Sequence, residues 1–148
     1  MNQSEIQNLA ASVGFPDPAL AAAIAMAESS GNPRAFNGRG NDSSYGLWQI
    51  NMQGSLGPAR RAQFGLSQNE DLYDPMTNAR AALAIYSSSG WGAWGAYTNG
   101  SYKRYYSGSN DDGGGALPGL NLPPIPTPFG PVNPLWLGAA ILIYILLK

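Results

Sequence analysis

The chain contains no cysteine and no histidine among its 148 residues, and its formal net charge is only −1. The missing cysteines remove disulfide staples and thiol nucleophiles. The missing histidines remove Ser-His-Asp triads and, with the cysteines gone too, the common zinc sites. Lys and Arg total 8 and are scattered, so there is no basic field to hold nucleic acid. Catalysis, if any, falls to carboxylates, hydroxyls, amides or basic side chains, and neither a metal nor a cofactor is expected. Gly (19), Pro (12), Tyr (8) and Trp (4) are plentiful for this length. Aromatics set among polar amides and hydroxyls suit a sugar-binding groove, although most aromatics serve a core.

Three parts are distinguishable. Residues 1–107 read as a compact, mainly α domain. Ser4 and Gln7 form a capping-box pattern, with Ile6, Leu9 and Val13 on one face and Gly14 as the stop. Asp17-Pro18 opens a second helix, which Gly31 and Pro33 end. The Gly/Asn/Ser/Asp-rich stretch from Gly31 to Ser44 reads as loop, and Tyr45 to Asn51 as a short extended piece, the minimal β element. Pro58 to Phe64 reads as a helix capped by Gly65, with Arg60 and Arg61 on a solvated face. Asp74-Pro75 repeats the Asp-Pro start and leads a helix to the serines at 87–89. Glycines at 92, 95 and 100 break the aromatic segment Trp91 to Tyr106 into helical pieces, with Trp91 and Trp94 one turn apart and read as packing. Asp17 and Asp74 are read as caps.

Residues 108–134 change composition abruptly to a Gly/Pro-rich linker. Asp111-Asp112-Gly113-Gly114-Gly115 favours flexibility, and Leu122-Pro123-Pro124-Ile125-Pro126-Thr127-Pro128 favours polyproline II. Residues 135–148 form a hydrophobic helix, apolar from Leu135 to Leu147 and ending at Lys148. Thirteen residues make roughly 20 Å of helix against roughly 30 Å of bilayer hydrocarbon. Trp136 and Lys148 suit interface positions at its ends. The segment is expected to be a membrane anchor, the alternative being a helix buried in a protein assembly.

Glu28 stands out against its surroundings. It closes the run Ala19-Leu20-Ala21-Ala22-Ala23-Ile24-Ala25-Met26-Ala27, where Leu20, Ile24 and Glu28 follow one another at i, i+4 and i+8. Burial disfavours a charged carboxyl and raises its pKa, which suits a general acid. The other reading is a Glu at a fraying helix end, reaching water.

Three local features lie in order: Glu28-Ser29-Ser30-Gly31-Asn32-Pro33, Ser44-Tyr45-Gly46-Leu47-Trp48-Gln49-Ile50-Asn51, and Trp91-Gly92-Ala93-Trp94-Gly95-Ala96-Tyr97-Thr98-Asn99-Gly100. In this order and spacing they resemble the lysozyme-like catalytic domain of the soluble lytic transglycosylase family, which is related to goose-type lysozymes. The resemblance covers about residues 5–106. It implies a lysozyme-like domain in which Glu28 matches the single catalytic acid/base. Gly46, Leu47, Gln49 and Ile50 match a GLMQI segment forming one wall of the cleft, with Trp48 in place of Met. Tyr97 matches a tyrosine whose hydroxyl approaches the catalytic Glu, and Ser44, more loosely, a hydroxyl near the scissile sugars. Thr98 replaces an Asn of the usual AYNxG pattern. The candidate substrate-binding residues are thus Ser44, Tyr45, Trp48, Gln49 and Tyr97; Gln49 has the alternative of satisfying a buried backbone group, and Trp48 that of core.

The chemistry implied is cleavage of the β-1,4 bond between N-acetylmuramic acid and N-acetylglucosamine in peptidoglycan glycan strands. Glu28 would protonate the bridging oxygen and then take the proton of the muramic C6 hydroxyl, giving a 1,6-anhydro product. Hydrolysis would ordinarily want a second acid at about 5–9.5 Å. Asp42 is the nearby candidate, either as a water-positioning base or as the cap of a Gly/Asn-rich loop. A wall-binding or virion structural module without catalysis is the non-enzyme alternative. Met1 to Leu9 shows no basic-then-apolar secretory pattern. The expectation is therefore delivery by a bacteriophage virion, membrane-associated through residues 135–148 and acting on periplasmic peptidoglycan.

Overall fold

The computed structural model describes residues 1–107; the linker assigned to 108–134 and the anchor assigned to 135–148 lie outside the described residues. Helices dominate, as expected. Helix α1 (Gln3–Val13) is followed by α2 (Pro18–Ser29), a three-stranded antiparallel sheet of β1 (Phe36–Asn37), β2 (Ser44–Tyr45) and β3 (Ile50–Asn51), then α3 (Leu56–Phe64), α4 (Pro75–Ser89) and the short α5 (Gly95–Thr98). Strand order is β1-β2-β3, with Phe36 opposite Tyr45 and Tyr45 opposite Ile50. Single 3-10 turns occupy Asn69–Tyr73, Trp91–Ala93 and Ser101–Arg104, so the aromatic segment is indeed helical in pieces.

The caps account for the helix starts. Asp17 Oδ1 accepts from Leu20 N at 2.9 Å and Asp74 Oδ1 from Thr77 N at 2.8 Å, so both aspartates cap as read. On α1 the capping box is Asn2 with Glu5 rather than Ser4 with Gln7, with reciprocal bonds of 2.9 and 2.8 Å. Asn caps as well as Ser, and Glu5 stands at the third helical position to complete the box.

Helix α2 is the centre of the domain. Its residues Leu20 through Ala25 are all buried, which the run of alanines permits by letting neighbours approach closely. Helix α1 packs against it through Ile6 and Ala10, and α4 packs against α1. At the far end of the described chain, Tyr106 Oη donates to Asp17 Oδ2 at 2.9 Å, tying the last turn to the start of α2.

Several local expectations change. Residues 31–44, read as loop, contain β1, and the 3-10 turn Asn69–Tyr73 had no clear local signal. Helix α3 begins at Leu56, two residues before Pro58. Arg60 and Arg61 are half-buried rather than a solvated face: Arg60 Nη1 donates to the Asn51 carbonyl and Arg61 Nη1 to Asn69 Oδ1 at 2.6 Å. Among the described residues, no helix is long and apolar enough to cross a membrane.

Candidate active site

Glu28 sits one residue before the end of α2, where the helix leaves the core, and it lines a cleft of about 730 Å³. Its side chain is half-buried. The Ala96 backbone N–H donates to Glu28 Oε1 at 2.9 Å, joining the second helix to α5. Burial raises the Glu28 carboxyl pKa above its ordinary value of 4.5; the Ala96 N–H opposes this, and the charge of Asp42 adds to it. Glu28 is thus a carboxyl held in place by a backbone amide, and burial biases it toward keeping its proton.

Gln49, at the end of the turn between β2 and β3, lines the same cleft. Gly46 has φ +76°, and a Cβ there would collide with the Asn78 side-chain amide and the Leu72 carbonyl, so both conformation and space demand glycine. Asn78, fully buried on α4, organises the turn from below. Its Oδ1 accepts from Trp48 N at 3.0 Å, and its Nδ2 donates to the carbonyls of Tyr45 and Leu72, each at 2.9 Å. Gln49 is held at φ +45°, a conformation rare for a residue with a side chain. Its Nε2 donates to the carbonyls of Gly46 at 2.9 Å and Ala35 at 3.2 Å, which offsets that strain. Gln49 thus does satisfy backbone groups, and it also lines the cleft.

Ser44 and Asp42 line the same cleft and bond to each other, Ser44 Oγ donating to Asp42 Oδ1. Asn37 Nδ2 donates to the other oxygen, Oδ2, at 2.6 Å. Asp42 thus organises its loop, and it also lines the Glu28 cleft.

Three of the candidates do not face the cleft. Trp48 is completely buried, with its Nε1 donating to the Ala21 carbonyl at 3.0 Å, and its ring stacks on Phe15. It is core because its one polar atom finds a partner on α2. Tyr45 is 7% exposed and packed between Phe36 and Tyr73, with ring centroids at 5.0 and 5.5 Å, so it supports the wall from behind. Tyr97 does not hydrogen-bond Glu28; its ring stacks on Tyr102 at 5.2 Å and does not line the cleft. Where a tyrosine hydroxyl was expected beside the acid, the preceding residue's amide is found. Trp91 packs against Phe15 and Tyr86, as read, whereas Trp94 is buried with Nε1 on the Trp48 carbonyl at 2.9 Å and also lines the cleft.

The residues missed from sequence share a simple chemistry. Asn37, Asn51 and Asn99 bring amides to the cleft, Ser29 and Ser101 bring hydroxyls, and Phe36 brings an exposed ring. Asn and Ser signal loops in a sequence, so their convergence on one groove is a property of the fold alone. The described residues hold no group of three carboxylates arranged to bind a metal ion.

A family model for a lysozyme-like domain matches residues 7–96, a span that includes Glu28, the Gly46–Gln49 turn, Asn78 and Ala96. No curated protein matches the chain.

Proposed function

The chain belongs to the lysozyme-like domain family, and on that premise we propose that it is a lytic transglycosylase cutting the β-1,4 bond between N-acetylmuramic acid and N-acetylglucosamine in peptidoglycan. The observation that carries this reading is Glu28: a half-buried carboxyl with a raised pKa, fixed by the Ala96 amide in a cleft lined by amides and hydroxyls. Protonated Glu28 donates to the bridging oxygen as that bond breaks and C1 gains oxocarbenium character. The resulting carboxylate takes the proton from the muramic C6 hydroxyl, whose oxygen closes on C1 to form the 1,6-anhydro ring. Glu28 ends protonated again and no water is consumed. Because the nucleophile is the substrate's own C6 hydroxyl, this route needs no second carboxylate.

Hydrolysis is the second reading, favoured by the presence of Asp42 in the same cleft. There Asp42 would position a water against C1. Mass analysis of muropeptides released from purified peptidoglycan separates the two: anhydro ends support the transglycosylase, and reducing ends support the lysozyme. Absence of any product supports the wall-binding module.

The reading extends to location. The apolar run 135–147 and the Gly/Pro-rich run before it suit a cutter tethered to a membrane, and the proposed setting is a bacteriophage particle that opens the wall locally. Detection of the chain in the membrane fraction of purified virions is the expected result. Its production and export by uninfected cells, with none in virions, would refute the proposal.

A further inference from the structure

Phe36 is the most exposed large apolar side chain among the described residues, at 55% exposure, and it lines the cleft that holds Glu28. An exposed phenyl ring is ordinarily unremarkable, because surfaces carry many single apolar groups. This one is built in. Its ring packs against Tyr45 at a centroid distance of 5.0 Å and an interplanar angle of 54°. Tyr45 in turn packs against Tyr73 at 5.5 Å, and the Arg34 guanidinium lies 4.9 Å above the Tyr73 ring. The ring is thus the outermost member of a braced aromatic row. Its other constraint is Gly38: a Cβ there would come within 2.8 Å of the Phe36 ring carbons Cε1 and Cζ. Gly38 does not have a positive φ, so its smallness serves the placement of the ring rather than the backbone.

A flat apolar face beside amide groups matches one chemistry well. A pyranose presents a face of C–H bonds that carry small positive charge, and an aromatic face carries the negative part of its quadrupole. The hydroxyls and acetamido groups at the sugar's rim need donors and acceptors, which Asn37 and Asn51 bring to the same cleft. We propose that Phe36 is a stacking platform for one N-acetylhexosamine ring of the glycan, held by Tyr45 and by the missing side chain at Gly38, and that it sets affinity rather than the chemical step. This rests on the peptidoglycan-cleaving reading of the Glu28 cleft.

The test compares the full-length chain with Phe36→Ala, Phe36→Trp and Gly38→Ala, using tri-N-acetylchitotriose for equilibrium binding and purified peptidoglycan for turnover. Phe36→Ala is expected to raise both Kd and KM about tenfold, with kcat within about twofold of wild type. Phe36→Trp restores both constants, and Gly38→Ala weakens binding while the phenyl ring is still present. Because Phe36 is exposed, its thermal midpoint stays within a few degrees of wild type. Unchanged Kd and KM in Phe36→Ala, while wild type binds and cleaves, overturn the platform and leave the cleavage reading standing. So does a loss that tracks a fall in thermal midpoint and is not restored by Trp. A wild-type chain that neither binds nor cleaves overturns both.

Discussion

The Ala96 amide reaches Glu28 Oε1 across 68 residues of sequence, at 2.9 Å. That single bond orients the carboxyl that α2 carries to the cleft, and it ties α5 to the acid. It also lowers the Glu28 pKa against the stronger effect of burial, so the net shift is upward.

The pH dependence follows from that shift. A general acid works only while protonated, so activity is expected to fall on the alkaline side at a pH above the 4.5 of an ordinary Glu. Asp42 contributes to the rise by its charge, and Asp42→Asn is expected to move this limb to lower pH. Under the transglycosylase reading the maximal rate stays within about tenfold of wild type, whereas a water-positioning Asp42 would make its loss far more damaging. Rate profiles of the two proteins against pH decide the matter.

Stability carries the same signature with a defined sign. Between 4.5 and its raised folded value, Glu28 holds a proton in the folded state that the unfolded chain releases. Stability from this group is therefore present below 4.5, declines as pH rises through the window up to the folded pKa, and is flat above it. Glu28→Gln lacks this titration but keeps an acceptor oxygen for Ala96 N–H. Its melting temperature relative to wild type is expected to climb across that window, as measured by thermal unfolding at a series of pH values.

Asn78 supports the turn that carries Gln49 from beneath. Asn78→Ala strands the Trp48 N–H and removes a donor from the carbonyls of Tyr45 and Leu72, all in a buried place. The expected loss is about 3 kcal/mol, readable from denaturant unfolding, with turnover reduced because the Gln49 turn loses its support.

Gly46→Ala is expected to lose at least about 2 kcal/mol, since it forces a side chain into a positive-φ position already filled by Asn78 and Leu72. By contrast Gly40→Ala, also at positive φ but with open space around its Cβ position, bears only the conformational part. The difference between the two unfolding midpoints measures the crowding under the turn.

Local signals are well legible in this sequence. Asp17-Pro18 and Asp74-Pro75 mark helix starts because capping involves residues three apart, and both caps form where read. The cap of α1 is misplaced by two residues because Asn2-Glu5 and Ser4-Gln7 both satisfy the pattern, and the local pattern does not rank them. The acid is legible because a charged residue at i+8 from Leu20 contradicts its helix. What surrounds it is not. Asn78 bonds residues 30 and 33 positions away, and nothing local distinguishes it from an exposed helical Asn. The motifs of Trp48 and Tyr97 point to the site, but tertiary partners hold both elsewhere. The Ala21 carbonyl claims the indole of the first, and Tyr102 claims the ring of the second. Phe36 was hidden in a stretch whose Gly, Asn and Ser content reads as loop.

The most direct test of the account digests purified peptidoglycan with wild type and Glu28→Gln side by side and identifies the soluble products by mass. Wild type is expected to release muropeptides with 1,6-anhydro ends. Glu28→Gln is expected to be about 10²- to 10⁴-fold slower, with its thermal midpoint at neutral pH no lower than that of wild type. Retained cleavage by Glu28→Gln, or reducing ends from wild type, would contradict the account.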